Sequence, residues 1–340
     1  MLYFRSNGKL MITGEYLVLA GASALAMPVR FGQTLKVREL EAKKKDLSIL
    51  WETHVKESEK FRVTFSGIDL QPVEQITEKH SYPVSAASRK GEKNNFGAGN
   101  DTEEQSNSIN YVRNTLLAAK RIKPEFLVDK SQWHAVSNIE FDMAWGLGSS
   151  SSLISNIALW AGIDPYELFF AVSEGSGYDI ACARSNQPLL YTFRGRNEQP
   201  EVQTVDFCPP FRDHLVFVYS GKKQDSAKSV KKFQKKKINP DDVEAISSLS
   251  EAMAWMTDLR DFMSAMAEHE EIIAGCTGME PVQSVHYPDF PGAIKSLGAW
   301  GGDFLLAASP LKGNKIIDYF RRKGANVIIP FEEMCIQNQP

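Results

Sequence analysis

The chain opens with short apolar stretches in strand-like spacing and later turns to apolar positions three and four apart. Leu10, Met11 and Ile12 predict a short buried strand, Thr13, Gly14 and Glu15 a turn, and residues 16–19 a second strand. Residues 35–40 and 61–65 alternate apolar and polar positions, the period of a half-buried strand. Residues 85–108 hold almost no large apolar side chain, which predicts a long exposed loop. A helix over 109–120 follows, with Val112, Leu116 and Leu117 on one face. Residues 133–142 predict a strand that feeds a loop of glycines and serines.

That loop runs from Gly146, Leu147 and Gly148 to Ser149, Ser150, Ser151 and Ser152, and leads into a helix through 154–160. Asp164, Pro165 and Glu167 start a further helix reaching about 174. Strands are predicted at 189–193 and 215–219. Residues 244–273 read as largely helical, with Met253, Met256, Met263 and Met266 as a core stripe. Residues 316–322 predict a helix and 326–329 a strand. Arg, Asn, Gln and Pro collect between 195 and 210, so the expected division is 1–205 and 206–340. Strands and helices alternate beyond it, which fits an α+β domain.

Composition narrows the class. Hydrophobic content of 43% and charged content of 24% are those of a soluble globular protein. A net charge of −3 gives no reason to expect a nucleic-acid partner. Cys182, Cys208, Cys276 and Cys335 form no CxxC pair, so a reduced, cytoplasmic setting is expected. Arg5 and Lys9 before the apolar run 17–27 outline a signal peptide, but Gly14 and Glu15 interrupt it. No stretch reaches the roughly 20 apolar residues of a membrane span. The basic run that begins at Lys222 and Lys223 reads as a solvated face whose first part can attract an anion. The six histidines show no metal-binding spacing.

The chemistry gathers in four clusters: Gly8-Lys9 with Gly14-Glu15, Gly146 to Ser152, Gly177-Tyr178-Asp179, and Gly298 to Asp303. Glycines let a backbone approach a ligand closely, and the first N–H groups of a helix attract anions. The Gly/Ser loop therefore suits phosphate, although a Ser-capped helix after a Gly turn would read the same way. No lysine follows in P-loop spacing, and Ser151 stands where the dinucleotide fingerprint needs glycine.

These motifs resemble those of the GHMP-superfamily kinases. Gly8 through Leu19 resembles that family's first motif, Gly146 through Ser150 the second, and Ala299 through Asp303 the third, in the family's order. The resemblance implies an α+β fold of two domains, a ribosomal-protein-S5-like N-terminal α/β domain and a ferredoxin-like C-terminal α+β domain, with ATP across the cleft. It implies that Gly146, Leu147, Gly148, Ser149, Ser150 and Ser151 cradle the phosphates, with Gly301 and Gly302 closing from the other side. Lys9 would offset charge in the transition state, and Asp179 would serve the acceptor oxygen. Ser150 would lie near Mg2+, with Glu167 as the nearest candidate for a second ligand and Glu174 the next. Glu15-Tyr16, Gly-Tyr-Asp179 and the segment beginning at Lys222 are similar to phosphomevalonate kinases, placing Glu15, Tyr16 and Lys222 beside the acceptor.

The implied activity is ATP-dependent phosphorylation of 5-phosphomevalonate, a small-molecule acceptor, with mevalonate as the alternative. Trp300 stands where the family carries a small residue, and Asn7 where it carries proline. Trp300, together with the lack of a firmly aligned metal-binding glutamate, leaves open a second class, a nucleotide or metabolite sensor without catalysis. Neither nucleic acid nor membrane is an expected partner, and both monomer and homodimer remain compatible.

Overall fold

The structure is a computed structural model that describes residues 1–41, 46–76, 100–128, 131–221, 233, 238–298 and 303–336. Strand β1 (Leu2–Met11) pairs antiparallel with the long β2 (Ser23–Leu40). Their register shifts between Asn7 and Gly8. A Cβ on Gly8 would lie 2.7 Å from the Phe31 carbonyl oxygen and 2.8 Å from that of Leu147, so only glycine fits here. Strands β3 (Ser48–Val55), β4 (Ser58–Ser66) and β5 (Gln71–Ile76) follow as a meander. Helix α1 (Asn100–Ile122) leads to β6 (Gln132–Ile139), which lies parallel to β3 and antiparallel to β2.

Helices α2 (Ser149–Ala161), α3 (Pro165–Val172) and α4 (Tyr178–Arg184) come next, then β7 (Leu189–Thr192) and β8 (Glu201–Thr204). The strands order as β5-β4-β3-β6-β2-β7-β8, with β1 also on β2. The second sheet contains β9 (Leu215–Tyr219), preceding helices α5 (Pro240–Met253), α6 (Leu259–Thr277) and α7 (Val282–His286). It is completed by β10 (Ala293–Ser296), β11 (Phe304–Ala308) and, after helix α8 (Gly313–Arg322), β12 (Ile328–Pro330). Its order is β10-β11-β9-β12, all antiparallel, and helix α9 (Phe331–Met334) follows.

Two of the cores among the described residues position the site. Trp51, Phe61, Val63 and Phe65 on the first sheet pack against Ile109, Leu116, Ile154 and Leu168 of the helices. Each such large side chain contributes roughly 1.5–3 kcal/mol on burial. The second core is shared by the two sheets: Leu10, Ile12, Phe141 and Leu147 meet Phe217, Phe262, Met266 and Phe304. This shared core brings the ends of β1 and α2 to the second sheet.

Two expectations are corrected. Residues 16–19 are no strand: Tyr16 takes a left-handed φ of 63° and Leu17–Ala20 forms a 3-10 turn. The helix expected at 109–120 begins at Asn100, so 100–108 is helical and 85–99 lies outside the described residues. The polar first turns, with exposed Glu103 and Glu104, need no apolar face because the packed turns from Ile109 onward propagate the helix. Residues 244–273 are largely helical, as expected, and are divided between α5 and α6. Asp258 starts the second by accepting from the N–H groups of Arg260 and Asp261, the pattern of an N-cap. Met253 and Met266 are fully buried, with Met256 and Met263 against the same core, so the methionine stripe is packing. No helix of the described residues is long and apolar enough to cross a membrane.

Candidate active site

The four clusters meet around one cavity of about 900 Å3. Lys9, Met11, Glu15 and Tyr16 border it on one side, Gly146, Gly148, Ser149, Ser150 and Ser151 on another. Ser176, Tyr178 and Asp179 face them at the start of α4, and Gly298 and Asp303 close in from the second sheet. Tyr111 of α1 and Glu174, Phe170 and Arg196 also line it.

Lys9 is fixed from both sides. Its backbone N–H donates to the Leu147 carbonyl at 2.9 Å, which stitches β1 to the Gly/Ser loop. Its side chain runs beside Gly148, where a Cβ would stand 2.9 Å from Lys9 Cγ. The ammonium lies 5.5 Å from the centre of the Tyr178 ring. Burial works against its charge, but Tyr178, Asp179 and Asp303 outweigh that and hold it above the ordinary lysine value. Burial raises the Asp179 carboxyl, and Lys9 is the main counterweight. Each group is thus the principal opposite full charge of the other.

The Gly/Ser loop is not a Ser-capped helix. The N-cap of α2 is Gly148 at φ 89°, with no side-chain cap. The first N–H groups of the helix therefore face the cavity without a serine cap. Ser151 and Ser152 donate back to the Gly148 carbonyl, each at 2.9 Å, and Ser152 also to Gln33 Oε1 at 2.7 Å. Ser149 and Ser150 border the cavity. The Ser150 hydroxyl bonds that of Tyr111, whose phenol burial pushes up to about 12. Leu147 contributes only its carbonyl, since its side chain is buried in the shared core. Gly146, at φ 66°, lies against Asp303: a Cβ there would collide with that carboxylate. Asp303 was visible only as the last letter of the third motif; its approach to Gly146 needs the two sheets together.

Glu15 and Tyr16 border the cavity, but their side chains serve the protein. Glu15 is 1% exposed and pairs with Lys295 Nζ at 2.5 Å. The Tyr16 ring packs on Phe233 at 4.9 Å. Glu167 is on the exposed face of α3, whose buried positions are Leu168 and Phe169, and it does not border the cavity. Glu174, just past the end of α3, does. Lys222, Trp300, Gly301 and Gly302 lie outside the described residues. Sequence reasoning missed Tyr111 and Arg196, which carry no motif. It also missed the Tyr191 hydroxyl, which donates to the Ser176 carbonyl at 2.5 Å and pins the turn before Asp179.

A separate group of possible ligands, Glu52, His54 and Glu59, lies on the open side of β3 and β4. Arg62 occupies it, 3.4 Å from Glu52 and 2.8 Å from Glu59, and His134 reaches Glu52 at 3.1 Å. Burial would raise the Glu52 carboxyl; bonds from His54 and His134, together with Arg62, hold it below its usual value instead. The group is an ion-pair cluster.

No family model matches the sequence, and no curated protein matches it. Solved structures do. The chain is similar to Streptococcus pneumoniae phosphomevalonate kinase in complex with phosphomevalonate and AMPPNP, at TM-score 0.66 and 16% identity, over 96% of this chain and 98% of that one. It is similar to Methanococcus jannaschii mevalonate kinase at TM-score 0.63 and 13% identity, over 96% of each. Lactococcus lactis galactokinase complexed with galactose matches at TM-score 0.59 and 13% identity, over 94% of this chain and 88% of that one. The chain has the fold these proteins share, that of the GHMP-superfamily kinases.

Proposed function

We propose that this chain, built on the GHMP-kinase fold, is an ATP-dependent small-molecule kinase whose acceptor is 5-phosphomevalonate. One observation carries the reading: Lys9 and Asp179, 170 residues apart in sequence, share one cavity with an uncapped Gly/Ser helix start. Fold alone does not give activity, so the weight rests on these side chains.

The cavity fits a nucleoside triphosphate and a divalent cation. Gly146 and Gly148, both at positive φ, let the loop turn tightly against Asp303 and Lys9, and the α2 N–H groups favour anions. The Ser150 hydroxyl and the Glu174 carboxylate are hard oxygen donors of the kind Mg2+ takes. Bound there, the cation supplies charge neutralisation on the phosphate oxygens. Lys9, held protonated, stabilises the charge that spreads over the transferred phosphoryl oxygens. The acceptor oxygen bonds to the γ-phosphorus as the bond to the β-phosphate oxygen breaks, and ADP leaves. A hydroxyl acceptor gives its proton to Asp179. A phosphate acceptor is already ionised, and Asp179 then orients it.

Tyr16, where mevalonate kinases carry histidine, and the likeness to the pneumococcal enzyme support the phosphorylated acceptor. A coupled ADP-release assay with Mg-ATP tests this by comparing mevalonate, 5-phosphomevalonate, homoserine and galactose at equal concentration. Preference for 5-phosphomevalonate is expected. Preference for mevalonate overturns the choice of acceptor; ATP binding with no turnover on any acceptor favours the sensor reading.

A further inference from the structure

Four ionisable side chains with no place in this chemistry are buried together behind the cavity. Glu15 is 1% exposed, Glu270 2%, and Lys295 and His269 are fully enclosed. Lys295 sits on β10, where all four positions are buried. Its ammonium donates to Glu15 Oε1 at 2.5 Å and to the Ser296 carbonyl at 2.9 Å. The Glu15 carboxylate also takes a bond from the Gly298 backbone.

Two consecutive residues of α6 hold the backbone next to the two partners of this pair. His269 Nε2 accepts the Gly14 N–H at 3.0 Å and lies 3.2 Å from Glu15 Oε2. Accepting at Nε2 puts the ring proton on Nδ1, so the imidazole is neutral, as its burial and the neighbouring Lys295 also require. Glu270 Oε1 accepts the Ser296 N–H at 3.0 Å. A third tie joins the same turn to α5: the Thr13 hydroxyl donates to Ser250 Oγ at 2.7 Å.

A buried ion pair adds little stability over an apolar pair of the same size, because desolvation cancels most of the attraction. What it does impose is one relative placement of the groups it joins. Here the joined groups are the 13–16 turn that follows the Lys9 strand and the 295–298 segment that ends at cavity-lining Gly298. We propose that the Glu15–Lys295 pair, with His269 and Glu270 holding the adjacent Gly14 and Ser296 N–H groups, is a positioning clamp that sets these two cavity walls as one piece. Glu15 is then a positioning residue rather than one that touches the acceptor. The inference rests on the kinase reading for its kinetic arm only.

The test uses the full chain with Glu15→Gln, Lys295→Met and both together. Each single change leaves one buried group unpaired and lowers the melting temperature. The double change removes the pair and restores melting to near the wild-type value. The clamp predicts that the double variant still exchanges amide hydrogens at least about tenfold faster over 13–16 and 295–298. It also predicts a KM for Mg-ATP raised about tenfold, with a smaller change in kcat. A double variant with wild-type melting, exchange and KM overturns the clamp. Should the double variant not fold, Glu15→Gln alone, which keeps the shape of the side chain and removes its charge, is read the same way, and unchanged exchange over 13–16 and 295–298 overturns the clamp. Hydrogen exchange needs no turnover, so a wild-type chain inactive on every acceptor sinks the kinase reading while the clamp is still decided.

Discussion

The side chain of Lys9 passes so close to Gly148 that a Cβ at position 148 would lie 2.9 Å from its Cγ. Gly148 also holds φ at 89°, which side chains rarely adopt. Gly148→Ala is therefore expected to displace Lys9 and strain the start of α2, at about 1–3 kcal/mol of stability. ATP turnover should fall by about a hundredfold or more, because misplacement of about 1 Å costs that much. Melting temperature and ADP release measured on one preparation check both effects; full turnover would show that Lys9 does not depend on this contact.

Lys9→Ala and Asp179→Asn are expected to lower kcat by about a hundredfold to ten-thousandfold. Burial raises the Asp179 carboxyl, so neutralising it relieves a desolvation cost, but Asp179→Asn also leaves Lys9 without its principal opposite charge, and a lowered melting temperature is expected. A folded Asp179→Asn protein with wild-type turnover would remove Asp179 from the mechanism.

With a hydroxyl acceptor, which must give its proton to Asp179, activity requires that carboxyl ionised, and its folded-state value lies above the ordinary one. The acid limb of kcat/KM is thus expected at higher pH than the ordinary aspartate value of about 3.9, with activity lost as pH falls through it. Lys9 is held above its ordinary value, so it should give no basic limb below about pH 10. A pH profile of the wild type checks this, and the acid limb should vanish from the residual activity of Asp179→Asn.

Glu270 faces Lys295, Glu15 and the backbones of Ser296 and Val282; burial is the largest influence and pushes its carboxyl up to about 7. Between the ordinary value of 4.5 and about 7 the folded state binds this proton more tightly than the unfolded chain. The contribution to stability is full below the lower value and is lost as pH rises through 7. It amounts to about 3 kcal/mol at most. Glu270→Gln removes the dependence, so wild type should lose stability relative to it between pH 5 and pH 8 in denaturant titrations. A constant difference would mean that Glu270 does not titrate there.

Glu174 borders the cavity and Glu167 does not. Glu174→Gln is expected to raise the Mg2+ concentration for half-maximal activity by at least about tenfold, since even groups one shell out from a metal cost about 10–100-fold. Glu167→Gln should leave it unchanged. Titration of Mg2+ at fixed ATP distinguishes them, and the opposite ranking would restore Glu167.

The local motifs of this protein were legible in its sequence because each depends on a few neighbouring residues. Gly146, Gly148 and the serines mark a helix start that needs backbone freedom, and that requirement is written in the residue types themselves. The fold class followed from motif order and from the alternation of strands and helices. Tertiary structure decided the rest. Helix α1 reaches Asn100 because its packed turns propagate into a polar segment that has no signal of its own. Glu15 was read as facing the acceptor, yet its partner Lys295 lies 280 residues away and reaches it only when β10 is laid behind the first turn. Asp303 meets Gly146, and Glu174 rather than Glu167 borders the cavity, for the same reason. Spacing along a chain predicts which way a side chain points from its own helix or strand; which distant charge it meets depends on how two sheets share one apolar core.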